Sequence, residues 1–188
     1  MMMLTFILTL ILGIEAGVFC GMIMSLLWVL YRSSKPSISI LGNIPGTPHY
    51  KNLERYERAQ GFEDCLIVRF EDQLYFANSE YFRLKINSLI DNQPYKIRYV
   101  IVDFSIINAI DSTALHMLEE LDIDLKARNI ELHLSGAIGR VRDSLHLAGL
   151  LSEKDKHHVT IHNAIQSIKG LEANTQVRGA DPFQTNAR

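Results

Sequence analysis

At 188 residues, 47% of them hydrophobic, the chain has room for one modest domain and an appendage. Nineteen Lys and Arg against 21 Asp and Glu give a net charge of −2 with no dense basic run, which argues against a nucleic-acid-binding face or an anionic-lipid patch. Two cysteines, Cys20 and Cys65, without a CxxC pair indicate neither a zinc site nor a disulfide framework.

Residues 4–31 carry one formal charge, Glu15. The run exceeds the ~20 residues that cross a bilayer core. A cleaved signal peptide would need a basic leader and a small-residue cleavage site, and neither is visible. Residues 1–31 are therefore read as transmembrane. Gly13, Gly17 and Gly21 loosen the run, and Glu15 sits between the first two. A lipid-facing carboxylate at mid-depth costs about 2.5–3.5 kcal/mol. Glu15 is thus expected to face protein or water, or to mark a break. The break is the favoured reading, with residues 3–12 ending one span and 14–31 forming the next. Arg32 and Lys35 follow the run and no basic residue precedes it, so the positive-inside bias places the C-terminal side in the cytoplasm.

Pro36 discourages further helix, and residues 37–46, with Gly42, Pro45 and Gly46, read as an ordered linker or edge strand. The whole stretch 32–63 is assigned to a linker. Strands and helices alternate from Asp64 onward. Short strands are predicted at 66–70 and 74–77 around a turn at 71–73. A helix over 79–90, capped by Asn78 or Ser79, puts Phe82, Ile86 and Leu89 on one face. Residues 99–104 are almost wholly apolar, as a central strand covered on both faces should be. A helix over 112–128 aligns Ala114, Leu118, Leu121 and Leu125, and Ile130, Leu132 and Leu134 then alternate as a strand. Val141, Leu145 and Ala148 mark a helix closed by Gly149. Val159 and Ile161 read as a last strand, and 163–169 as a last helix ending at Gly170. This order predicts an α/β domain over 64–171, with a mostly parallel central sheet flanked by helices. Residues 172–188 are polar and aperiodic and are expected to be disordered.

VIVDF at 100–104 followed by IDSTAL at 110–115 resembles the strand–loop–helix signature of STAS domains. Bacterial anti-sigma-factor antagonists and SulP anion transporters share these domains. RSSKP at 32–36, LGNIPGT at 41–47 with Tyr50, and RFEDQLYFAN at 69–78 resemble the SulP version, as do ELHL at 131–134 and VRDS at 141–144. The resemblance runs from about residue 4 to 171, and departs from the signature at Ala114, where Gly is usual.

The resemblance implies the C-terminal portion of a SulP-type secondary anion (sulfate) transporter: an integral membrane segment followed by a cytoplasmic STAS domain for regulation and assembly. The family's anion site lies among core spans that this chain lacks, so transport by the chain alone is not expected. A fragment, a mispredicted gene and a subunit joining a separate core all stay open. The implied partners are the lipid bilayer, a transporter core or other protein subunit, and a second copy in a homodimer. The anion is reached only through the core, and no nucleic acid or cofactor is expected.

Asp111 precedes the helix starting at Ser112, where an N-cap contributes ~1 kcal/mol. A phosphate on Ser112 or Thr113 would meet the positive end of that helix. In the antagonist branch the corresponding hydroxyl pair includes the phosphorylated residue, and Ser112 is the matching position. The plain reading of Ser112 and Thr113 is as helix-start residues. The alternative function is an independent membrane-tethered STAS binding module controlled by phosphorylation. His157, His158 and His162 do not suit a metal, since His158 and His162 would lie roughly 13 Å apart on a strand; they read as surface histidines. Asp103, Asp111 and Glu119 come without a nucleophile–base pair or a Gly-rich phosphate loop, so an enzyme is not expected. Tyr75, Phe76, Tyr81 and Phe82 read as core and sheet-surface residues.

Overall fold

The computed structural model describes residues 2–151 and 157–179. Two helices lead the chain, α1 (Met2–Leu12) and α2 (Ile14–Ser33). Gly13 joins them at φ +84°, a left-handed conformation in which a side chain would be strained. Gly17 of α2 lies against Thr9 of α1, and Gly21 against Thr5. The pairing runs in opposite directions, so α1 folds back along α2 as a close-packed hairpin. The break expected near Glu15 is therefore present. Glu15 lies in the first turn of α2, about 26 Å along the axis from Arg32 at ~1.5 Å per residue. The 20 residues of α2 are apolar and long enough to cross a membrane. Val18, Phe19, Met22, Leu26 and Leu27 stand exposed on it.

The globular part is a six-stranded sheet in the order β2-β1-β3-β4-β5-β6. Its strands are β1 (Ile38–Asn43), β2 (Tyr50–Asn52), β3 (Cys65–Phe70), β4 (Tyr99–Asp103), β5 (Glu131–Ser135) and β6 (His157–His158). The strands β3 to β6 run parallel, while β1 is antiparallel to both β2 and β3. The helices are α3 (Ser79–Asp91), α4 (Ser112–Ala127), α5 (Gly139–Leu147) and α6 (Ile161–Gly179).

Side chains alternate across the strands and build two cores. Val68, Phe70, Val100, Val102, Leu132 and Leu134 meet Phe82 and Ile86 of α3, Leu118, Leu121 and Leu125 of α4, and Leu145 of α5. Phe70 and Phe82 cross edge to face at 5.2 Å. On the opposite face Leu41, Tyr50, Ile67 and Ile101 pack on Ile161, Ala164, Ile165 and Ile168 of α6. The apolar run of β4 follows from this, because Val100, Ile101 and Val102 are each covered on whichever face they point to.

Several expectations need correction. Residues 37–46, read as an ordered linker or edge strand within the 32–63 stretch, contain the strand β1, and β2 follows it; β1 is not at the edge but internal to the sheet, because it pairs on both sides. No strand forms over 74–77; Leu74 makes only an isolated bridge to Ile110. The amides that a strand would offer to a ladder are taken by side chains, Tyr75 N–H by Asn78 Oδ1 and Phe76 N–H by Asp111 Oδ2. The last strand is His157–His158 rather than Val159 and Ile161. Thr160 Oγ1 accepts the Asn163 amide at 3.2 Å and starts α6 there, which draws Ile161 into the helix and leaves Val159 exposed. The helix continues past Gly170 to Gly179, since one interior glycine costs only ~1 kcal/mol and does not end a helix. The remainder of the tail expected to be disordered, 180–188, lies outside the described residues.

Candidate functional site

The signature loop is built where the parallel strands end. Arg69, Asp103 and Ser135 lie side by side in register at the C-terminal ends of β3, β4 and β5. The loops leaving those ends lead into α3, α4 and α5. In open α/β sheets this edge is where ligands and partners are met.

Asp111 organises the start of α4. Its Oδ1 accepts the Ala114 amide at 2.8 Å, the N-cap geometry that its position predicts. Its Oδ2 accepts the Phe76 amide at 2.8 Å, so one carboxylate also fixes the loop after β3. Ser112 and Thr113 follow on the first turn and are exposed. Their hydroxyls are accessible to a modifying enzyme, and the helix dipole there favours added negative charge. Ala114 is completely buried, which suits the small residue found at this position of the signature.

Asp103 has a different task. It is 2% exposed and accepts Arg69 Nε at 2.7 Å and both the amide and hydroxyl of Ser105 at 3.0 Å. The carboxylate is thus paired and hydrogen-bonded, as a buried charge must be. Gly136, at φ +73°, passes directly beside it. Composition and spacing identified Asp103 and Asp111, but the two belong to separate hydrogen-bond sets. Glu119 lies on α4 and contacts His116 at 3.1 Å. Among the described residues no group of three metal-ligating side chains forms.

A connection absent from the sequence reading joins this loop to the N-terminal helices. The Ser33 hydroxyl, at the end of α2, is hydrogen-bonded to the Tyr75 phenol. Tyr75 meets Phe76 edge to face at 5.6 Å, and Phe76 is the residue whose amide Asp111 holds. Phe76 itself is 68% exposed rather than a core residue. Tyr75 is half-buried, and Phe82 alone of the expected aromatic group is fully buried. Glu15 lies at the opposite end of α2 from Ser33, remote from this edge.

The histidines also differ from expectation. His158 is buried, and its Nε2 lies 3.2 Å from Nδ1 of the buried His133. The period-two pattern of β5 marks His133 as out of place, because its neighbours Leu132 and Leu134 face one core and it must face the other. His157 is half-buried; burial pushes its pKa down, and the nearby Arg142 guanidinium adds to the effect. His162, in the first turn of α6, lies beside Tyr50, whose phenol is pushed up by burial and by the proximity of Cys65.

Residues 56–167 match the STAS domain family. A probable sulfate transporter of Arabidopsis thaliana, 4.2, is 35% identical over 169 residues, covering 84% of this chain and 25% of the relative. The chain therefore spans about a quarter of the length of the curated relatives it matches. In structure it resembles the murine Solute Carrier 26 family member A9 anion transporter in the inward-facing state, with a TM-score of 0.76 at 24% identity, over 89% of this chain and 28% of that one. The unphosphorylated anti-sigma factor antagonist SpoIIAA shares the fold of the globular part, with a TM-score of 0.50 at 20% identity, over 59% of this chain and 93% of the other. The chain belongs to the STAS domain family, and its likeness to sulfate transporters places it with the C-terminal STAS portion of SulP-type transporters.

Proposed function

We propose that the chain acts as the regulatory and assembly portion of a SulP-type sulfate transporter. In this reading α2 crosses the membrane, the STAS domain lies on the cytoplasmic side, and the anion moves through core spans supplied by other sequence. Its role is coupling rather than catalysis. The observation that carries the reading is the hydrogen bond between Ser33 and Tyr75. It ties the end of the membrane helix to the loop that Asp111 fixes on the other side. A change at the start of α4 is then transmitted through Phe76 and Tyr75 to α2.

The test is to co-express the chain with a SulP-type core lacking its own STAS domain and to measure sulfate uptake in vesicles. Uptake should rise with the intact chain and fall back with Tyr75→Phe, which keeps the ring and removes the hydroxyl. Uptake indifferent to the chain would defeat the proposal, and a chain soluble without detergent would remove its membrane half.

A second reading draws on the exposed Ser112 hydroxyl beside Asp111 and on the fold shared with the antagonist. Here the domain is a membrane-tethered binding module whose partner is released by phosphorylation. Ser112→Asp should weaken partner binding without unfolding the domain, and unchanged affinity would count against it.

A further inference from the structure

A groove of about 540 Å³ opens between the end of α2 and the loop after β3. Trp28 and Val29 line one side, Arg32 and Lys35 add two cations, and Glu71 and Asp72 face in from the domain. We infer that this groove binds the headgroup of a zwitterionic phospholipid, with phosphate at Arg32 and Lys35 and the ammonium at Glu71 and Asp72. The inference rests on the reading of α2 as a membrane span.

Three observations select this occupant. Trp28 and Val29 belong to the membrane helix itself, so the groove opens at the depth where indole rings and lipid headgroups meet. The cations and acids line one cavity without neutralising each other: among the described residues no ion pair joins Arg32 or Lys35 to Glu71 or Asp72. Lys35 instead rests over the Tyr31 ring at 5.0 Å. Finally, each acid has one oxygen occupied within the domain. Glu71 Oε1 accepts the Ser39 hydroxyl at 2.6 Å, and Asp72 Oδ1 accepts the Gln73 amide at 2.7 Å. These bonds fix the carboxylates and leave a second oxygen on each for an ammonium.

An anionic headgroup would gain from Arg32 and Lys35 and lose to the two acids. A headgroup carrying both charges gains from all four. Phosphatidylethanolamine fits best, because its ammonium donates hydrogen bonds that a choline cannot.

The test uses the whole chain in a mild detergent, titrated with phosphatidylethanolamine or phosphatidylglycerol of equal acyl length and read by native mass spectrometry. Phosphatidylethanolamine should be retained about fivefold over phosphatidylglycerol, the effect of one interfacial charge. Asp72→Asn should shrink that preference toward parity, because Glu71 remains, and Arg32→Gln should weaken retention of both lipids. Equal or stronger retention of phosphatidylglycerol by the native chain, or an undiminished preference in Asp72→Asn, would overturn the assignment. Displacement of the lipid by soluble phosphoethanolamine at equal concentration would also overturn it, by showing that the acyl chains add nothing and the ligand is not a lipid. Vesicle partitioning separates the two levels: a chain that fails to enter vesicles loses the membrane span and this site together. A chain that enters them without headgroup preference loses the site alone.

Discussion

The backbone amide of Phe76 is held by Asp111 at 2.8 Å, 35 residues along the chain. The other oxygen of the same carboxylate caps α4 at Ala114. Two loops therefore depend on one side chain, which raises its value above that of an ordinary cap. Asp111→Ala should destabilise the domain by about 2 kcal/mol, of which ~1 is the cap and the rest the Phe76 amide, which is exposed enough for water to recover part of the loss. Asp111→Asn keeps an acceptor for the cap and should cost about half as much. Ser112→Ala should stay within about 0.5 kcal/mol, as substitution of an exposed hydroxyl does. Urea denaturation of the three variants checks the order.

At the neighbouring strand end the cost should be larger and unequal between partners. Asp103 is nearly inaccessible, whereas Arg69 keeps about a quarter of its side chain in solvent. Asp103→Ala removes the acceptor of Arg69 and of both Ser105 donors, and should cost about 2–4 kcal/mol after allowance for Arg69's exposure. Arg69→Met leaves Asp103 with its two Ser105 bonds and should cost about 1–2 kcal/mol. The double variant should be less destabilised than the sum, and a double-mutant cycle in urea would measure that coupling. Strict additivity would show that the pair contributes nothing through its contact.

Gly136 completes this corner and provides a test with its own control. A Cβ at Gly136 would lie 3.0 Å from Asp103 Oδ1 and 3.1 Å from the Ser105 amide, with φ at +73°. Gly139 has φ +52° and open space around it. Both Gly→Ala changes carry the left-handed strain of about 1–2 kcal/mol, but Gly136→Ala must also move the buried carboxylate. We expect Gly136→Ala to exceed Gly139→Ala by about 1 kcal/mol or more. Equal losses in thermal melts would mean that the Asp103 corner yields without cost.

What the sequence made legible was local. Asp111 as a cap, the buried face of α4 and the doubly covered β4 follow from spacing within one element, and each is present. What it concealed was set by pairing at a distance. The strand character of 38–43 depends on β3, which begins at Cys65, 27 residues after Ile38, and pairs with it through partners such as Ile38 and Phe70. Residues 74–77 have strand composition, yet side chains of Asn78 and Asp111 take their amides. At the end of the chain a hydroxyl on Thr160 overrode the alternation of Val159 and Ile161. The Ser33–Tyr75 contact and the burial of His158 against His133 carry no periodic signal at all, because both depend on how separate elements meet.

The acid response of the domain should pass partly through His157. Its Nε2 is buried with no hydrogen-bond partner among the described residues, and burial with the nearby Arg142 lowers its pKa below the ordinary 6.5. As pH falls through 6.5 the unfolded chain takes up the proton first, while the folded domain resists it. Stability is therefore unaffected by this group above that value, declines below it, and stops declining once pH passes the depressed folded value. His157→Gln removes the titration while retaining an amide side chain for the edge of the sheet. Its urea midpoint should change less than the native one between about pH 7.5 and about pH 5.5. An equal decline in both proteins would assign the acid response to other groups. The His133–His158 pair, whose ring nitrogens lie 3.2 Å apart, would then be the next to replace.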